Sequence, residues 1–242
     1  MSERKAALVI GAGDDTGGAI AKRFAREGYA TCITRRSIDK LQPLVQEIEQ
    51  AGGEVHPYAC DARSEEETID LFAHVEREVA PLEVVIFNIG ANVFFPITET
   101  TARVYRKVWE MASFAGFLAG REAAKAMIPH GHGTIIFTGA TASLRGGAGF
   151  SAFSGAKFAL RALAQSMARE LGPKGIHVAH SIIDGAIDTQ WIAENFPARY
   201  ALKEEDGILN PDHIAEAYWY LHNQPRDAWT HELDLRPWME KF

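Results

Sequence analysis

The sequence predicts an α/β fold: seven strands in a doubly wound parallel sheet, covered by helices on both faces as a three-layer α/β/α domain over residues 1–242. Three observations predict it. Strand-length apolar runs alternate with stretches of helical periodicity along the whole chain. The first such run passes directly into a glycine-rich turn and a helix. No Pro/Ser-rich linker, repeat or low-complexity segment divides the 242 residues, a length that suits one large α/β domain.

Each element has its own justification. Ala6–Ile10 is five apolar residues in a row, as in a strand buried on both faces. Ala19, Ile20, Phe24 and Ala25 follow at helical spacing. Ala30–Thr34 is the second strand. Ser37 opens a helix that Ala51-Gly52-Gly53 stops. Val55–Ala59 is the third strand. Ser64, with Glu67 three residues on, forms a capping box for a helix through Leu71, Phe72 and Val75. Leu82–Phe87 is the fourth strand. Thr101–Met127 is a long helix with Val104, Val108, Met111, Phe114, Ala115 and Leu118 on one side. Thr134–Thr138 is the fifth strand and Phe150–Leu171 a second long helix. Ile176–Ile183 and Glu232–Arg236 complete the sheet, whose ligand crevice is expected at the strands' carboxyl ends.

Bulk properties exclude several classes. A net charge of −7 argues against non-specific nucleic-acid binding, which needs a basic face. No apolar run reaches membrane-spanning length. Met1–Lys5 is polar and Ala6–Ile10 is too short for a secretory signal, so a cytoplasmic location is expected. Cys32 and Cys60 read as buried reduced thiols. His130-Gly131-His132 reads as a solvated loop before a strand rather than a metal site, and no metal is expected.

The first turn, Gly11-Ala12-Gly13-Asp14-Asp15-Thr16-Gly17-Gly18, brings helix N–H groups and the positive dipole end to one point, where a phosphate can sit. Glycine is needed where backbone approaches a pyrophosphate. The second strand ends in Thr34-Arg35-Arg36. Arginine at this strand end favours the 2′-phosphate of NADP over the free hydroxyl of NAD; the alternative is a solvated basic pair at a helix start. Asp61 either accepts a hydrogen bond from adenine or caps its own loop. Asn88 ties neighbouring strand ends together, and Gly90 leaves room for a ribose.

The order of these motifs resembles the short-chain dehydrogenase/reductase family over nearly the whole chain. Ile10–Gly17 looks like its T-G-x-x-x-G-x-G turn, Asp61-Ala62 like its D-V step, and Phe87-Asn88-Ile89-Gly90 like N-N-A-G. Phe153-Ser154-Gly155-Ala156-Lys157 stands at Y-x-x-x-K, and Asp184-Gly185-Ala186-Ile187-Asp188-Thr189 at P-G-x-x-x-T. The resemblance implies a Rossmann-type fold, NADP(H) as cofactor with NADPH preferred, and hydride transfer to or from a small apolar carbonyl or enone compound. It implies cofactor contacts at Gly11, Gly13, Thr16, Gly17, Arg35, Arg36, Asp61, Ala62, Asn88, Gly90, Lys157, Gly185 and Thr189. It also implies a homodimer or homotetramer built on the two long helices.

The chain departs from the family where the chemistry should lie. Phe153 stands at the Tyr position, Ala140 at the Ser position and Ala112 at the Asn position; Lys157 remains. Without a phenol beside it, a desolvated Lys157 titrates lower and acts as the general acid, directly or through water. Ser143 and Thr141 either offer a hydroxyl to substrate or bond their own loop. Asp14 and Asp15 put two carboxylates at the phosphate turn. The substrate side is expected from Asn92, Val93, Phe94, Phe95, Leu144, Phe150, Trp191, Phe196 and Tyr200, under a lid near residues 190–206. The alternative function is a catalytically inactive NADP(H)-binding sensor or partner subunit.

Overall fold

A computed structural model of the chain describes residues 4–13 and 15–241. The strands are β1 (Ala6–Ile10), β2 (Ala30–Arg35), β3 (Val55–Ala59), β4 (Leu82–Phe87), β5 (Gly133–Thr138), β6 (Ile176–Ile183) and β7 (Glu232–Leu235). They form one parallel sheet in the order β3-β2-β1-β4-β5-β6-β7. The order reverses between β1 and β4, whose ends Ile10 and Phe87 are paired. Their crossovers leave in opposite directions there, which opens a crevice at the carboxyl edge.

The helices are α1 (Thr16–Arg26), α2 (Gln42–Gln50), α3 (Glu65–His74), α4 (Ala102–Trp109), α5 (Ala115–Met127), α6 (Ser151–Leu171), α7 (Gln190–Asn195), α8 (Pro197–Tyr200) and α9 (Pro211–His222). Alternation along β1 divides the core. Ala6, Leu8 and Ile10 face the layer of α3, α5 and α6, with Leu71, Phe72, Ala119 and Leu160. Ala7 and Val9 face α1, α2 and α9, with Ile20, Phe24, Leu44 and Tyr218.

The strand expectations hold to within a residue, and the differences have local causes. β7 stops at Leu235 because Arg236 turns to pair with Asp184 and Asp234. The helix expected from Ser37 begins as a 3-10 turn, Ile38–Leu41, before α2. Half of the expected capping box forms: Ser64 Oγ accepts from the Glu67 N–H at 3.3 Å. The Ser64 N–H is already bonded to Asp61 O at 2.7 Å, so Glu67 reaches the Asp61 N–H instead, at 2.8 Å. The long helix is broken into α4 and α5 by a π turn, Glu110–Phe114, whose extra residue shifts the helix face. The sequence reading missed α9, although Asn210 and Pro211 open it and Ile214, Ala215, Tyr218 and Leu221 repeat at helical spacing.

α9 completes its layer through rings: Phe24 of α1 stands edge-on to Tyr29 at 5.5 Å and to Trp219 at 5.4 Å. Phe24→Ala is expected to cost roughly 3–5 kcal/mol of unfolding free energy in urea denaturation, because a fully buried ring leaves a cavity. A loss below about 1 kcal/mol would show that α9 closes over the gap.

Candidate active site

One cavity of about 720 Å³ follows the carboxyl edge from the glycine turn to the lid. Gly11, Gly13, Thr16, Gly17, Asn88, Gly90, Thr141, Lys157, Gly185 and Thr189 line it together. The turn closes because Gly17 lacks a side chain: a Cβ there would stand 2.5 Å from Gly11 O. Asn88 Nδ2 donates to the same carbonyl at 3.3 Å, joining the ends of β4 and β1. Arg35 donates to Lys40 O at 3.2 Å, and its guanidinium comes 3.9 Å from where a Gly13 Cβ would be. A cation therefore stands against the glycine turn.

Arg35, Arg36, Asp61 and Ala62 lie off the cavity lining; Arg35 borders a separate hollow with Lys22 and Lys40. Asp61 serves its own loop: Oδ1 accepts from the Arg63 N–H at 3.1 Å and from Nε at 2.9 Å. The Arg63 guanidinium holds this carboxyl below the ordinary range. Asp15 precedes α1 and lines the cavity; Asp14 lies outside the described residues.

Lys157 is 2% exposed on the inner face of α6. Nζ donates to Thr138 O at 2.8 Å and Ile89 O at 3.2 Å. An ammonium has three donors, and two of them are fixed at the ends of β5 and β4. Burial pushes the Lys157 pKa down to about 8. The Phe153 ring, one helical turn back, lies 5.9 Å from Nζ. A phenyl ring has no exchangeable proton.

The two expected hydroxyls are placed differently. Ser143 is fully buried and lies outside the lining; its Oγ accepts from the Ala140 N–H at 3.1 Å. Its role in the structure is to fix the loop. Thr141 lines the cavity and donates to Asp184 Oδ1 at 2.5 Å. Asp184 is 1% exposed and pairs with Arg236 at 3.1 Å. Sequence reasoning saw Asp184 only as a missing proline. It also missed Ser154, whose buried Oγ borders the cavity with no hydrogen-bond partner among the described residues; Ser154 directly follows Phe153, the signal that would have found it.

Behind the cavity wall, His180 Nδ1 donates to Glu232 Oε2 at 3.1 Å, while Arg161 holds that carboxylate through Nε at 2.7 Å and Nη2 at 2.6 Å. Burial pushes His180 down to about 4, so the imidazole is neutral near pH 7. Gly139 must be glycine here, since a Cβ would stand 2.4 Å from His180 Nε2.

Asn92, Phe150, Trp191 and Phe196 line the cavity as expected, whereas Val93, Phe94, Phe95, Leu144 and Tyr200 do not. Phe94 instead braces Phe150, with ring centroids 5.3 Å apart. The stretch expected as a lid forms α7, α8 and a 3-10 turn, Ala201–Glu205. Thr189 caps α7, accepting from the Ile192 N–H at 3.1 Å. His130 and His132 pair with Glu76 at 3.6 Å and Glu83 at 3.1 Å. Among the described residues no cluster of three metal-ligating side chains occurs, and no helix is long and apolar enough to cross a membrane. Cys32 and Cys60 are buried free thiols.

The family model described as short chain dehydrogenase matches residues 5–199. A crystal structure of a short-chain dehydrogenase from Rhodopseudomonas palustris is 54% identical, with a TM-score of 0.83, covering 97% of this chain and 99% of that one. An alcohol dehydrogenase from Thermococcus sibiricus, complexed with 5-hydroxy-NADP, is 27% identical with a TM-score of 0.86, covering 99% of each chain. Zerumbone synthase of Zingiber zerumbet is 30% identical over 241 residues, 90% of this chain and 88% of the relative. The chain belongs to the short-chain dehydrogenase family and is an NAD(P)-dependent oxidoreductase of that type.

The shifted Lys157 has a measurable consequence. Between about pH 8 and 10.5 the unfolded chain carries this proton and the folded chain does not, so stability rises with pH across that window. The unfolding free energy of the native protein minus that of Lys157→Met is expected to rise by on the order of 1–3 kcal/mol from pH 8 to 10.5. A difference that stays flat in urea titrations would contradict the shift.

Proposed function

We propose that the protein is an NADP(H)-dependent oxidoreductase that uses Lys157, not a phenol, as its proton-bearing group, acting on a small apolar carbonyl or enone compound. The observation that carries this reading is the desolvated Lys157 ammonium at the cavity floor beside Phe153. The cavity suits a dinucleotide: it is long, lined by the glycine turn at one end and by Gly185 and Thr189 at the other, with a cation at the turn. Family relatives with NADP-type ligands support the same choice.

In this reading the α1 N-terminus, Gly11, Gly13, Thr16 and Gly17 hold the pyrophosphate. Arg35 grips the 2′-phosphate with Arg36 beside it, and Asn88, Gly90 and Lys157 take the riboses. Asp61 and Ala62 border the adenine, and Gly185 and Thr189 face the carboxamide. The nicotinamide, when bound, supplies or accepts the hydride. Lys157 holds and moves the proton at Nζ; with a pKa of about 8 it exists in both forms near neutrality, which suits a general acid or base. Thr141, held by Asp184, orients a substrate oxygen, and Ser143 keeps the loop in place. The apolar walls exclude water. Loss of the Tyr, Ser and Asn functions at Phe153, Ala140 and Ala112 fits a substrate whose oxygen needs no phenol, such as a conjugated enone.

The exposed aromatic face of the long helices supports a homodimer or homotetramer. Trp109, Phe114 and Phe117 stack with centroids 5.9 and 6.2 Å apart, and Phe158 of α6 is exposed as well. A second reading, an inactive NADP(H)-binding sensor or partner subunit, is favoured by one fact: the Ser143 and Thr141 hydroxyls are both engaged within the protein.

Calorimetry is expected to show saturable NADPH binding that is tighter than NADH. Arg35→Glu is expected to weaken NADPH by on the order of tenfold or more while sparing NADH, because one charge-assisted phosphate contact is lost. Equal loss for both cofactors would remove Arg35 from the 2′-phosphate. Bound NADPH is expected to reduce 2-cyclohexenone slowly, and Lys157→Met to stop it. Tight NADPH binding with no transfer to any activated ketone or enone would favour the inactive reading.

A further inference from the structure

The substrate end of the cavity carries charge that its apolar walls do not explain. Two arginines line it from separate elements: Arg145 on the loop after β5, and Arg199 on α8 of the lid. Arg199 is exposed, and its guanidinium has no hydrogen-bond or ion-pair partner among the described residues. Arg145 is half exposed. It donates weakly to Lys241 O at 3.4 Å and stands 4.0 Å from Asp184 Oδ1, an oxygen that Thr141 already bonds more closely. Neither guanidinium is spent on a close carboxylate.

The acidic residues of the lining lie elsewhere or are answered. Asp15 stands in the turn after β1, on a different element from Arg145's loop. Glu240 lies beside Gly185, with Oε2 3.7 Å from that residue's Cβ position, and acts on Arg236. Asp184 is paired with Arg236. The remaining lining includes the apolar Phe150, Phe153, Ile187, Trp191 and Phe196, with Asn92 and Ser154 as polar members. An apolar pocket with two unspent cations at its rim is complementary to one kind of molecule.

We propose that the cavity takes an amphipathic carboxylate, with its apolar body against Phe150, Phe153 and Ile187 and its carboxylate between Arg145 and Arg199. Depth places the two ends of that molecule. Lys157 is buried at the floor, whereas Arg145 and Arg199 reach solvent. The reacting carbonyl or double bond therefore sits several carbons from the carboxylate, which describes a long oxo-acid or enoic acid rather than a 2-oxo acid. Guanidinium–carboxylate pairing is charge-assisted and bidentate, and low-dielectric walls strengthen it. Because α8 supplies one arginine, the anion also draws the lid over the cavity. The substrate class rests on the oxidoreductase reading above; the pocket's preference for an anion does not.

The test compares 4-phenylbutyrate with its neutral isostere 4-phenylbutyramide by calorimetry, on the protein alone and on protein saturated with NADP⁺. The acid is expected to bind at least tenfold more tightly than the amide, since hydrogen bonds to a charged group are the stronger kind. Arg199→Gln is expected to bring the acid to the amide's level and leave NADPH affinity unchanged. Arg145→Gln is expected to weaken the acid in the same direction. Equal or weaker binding of the acid, or no binding of it, overturns the proposal. So does an Arg199→Gln variant that loses NADPH affinity while keeping the acid, which would make the lid arginine a cofactor clamp. Absence of any NADPH binding, with the acid still preferred, fails the cofactor reading and leaves the anion pocket standing.

Discussion

A lysine ammonium with almost no solvent contact is costly unless its protons are engaged. Lys157 meets that cost through two carbonyls, Thr138 O at the end of β5 and Ile89 O just beyond β4. Both carbonyls are free of the sheet ladder only because the strands stop there. The sheet's carboxyl edge thus holds the ammonium in place. Its burial also sets its chemistry, because desolvation alone lowers its affinity for the proton. In a more exposed position the same side chain would be a permanent cation and a poor proton donor near neutrality.

The surrounding residues keep that arrangement dry and rigid. Ala112, Ala140 and Phe153 present apolar surface, and each lies within or beside one small cluster with Val108 and Ala156. Polar groups that remain near the floor are tied to fixed partners. Thr141 is bonded to Asp184, Ser143 to the Ala140 N–H, and His180 to Glu232. The site therefore has an unusually quiet polar background. Its unspent groups stand out against it: the third donor of the Lys157 ammonium, the Ser154 hydroxyl, and the rim guanidiniums of Arg145 and Arg199.

Much of the fold was legible because its signals are local. The continuous apolar run of β1 and the largely apolar stretches of β4 and β6 placed those strands to the residue, and the glycine turn after β1 marked the crevice. Lys157 was legible from its place on the second long helix, and the direction of its pKa shift followed from the desolvation expected there. Other features depend on contacts distant in sequence. The partner of Asp184 is Arg236, 52 residues on, and no local pattern announces it. Asp61 could not be assigned without seeing Arg63 fold back on it. The π turn at Glu110–Phe114 leaves the apolar periodicity nearly intact, so it does not show in the sequence. α9 is a different case: its cap and spacing were present, and it was overlooked between the lid and β7.

The account stands on the protonation of one side chain, which NMR reads directly. With lysines labelled at ¹³Cε, one resonance, absent from Lys157→Met, is expected to titrate near pH 8, well below the others. A Lys157 resonance that titrates with the surface lysines above pH 10 would contradict a desolvated proton donor at the cavity floor.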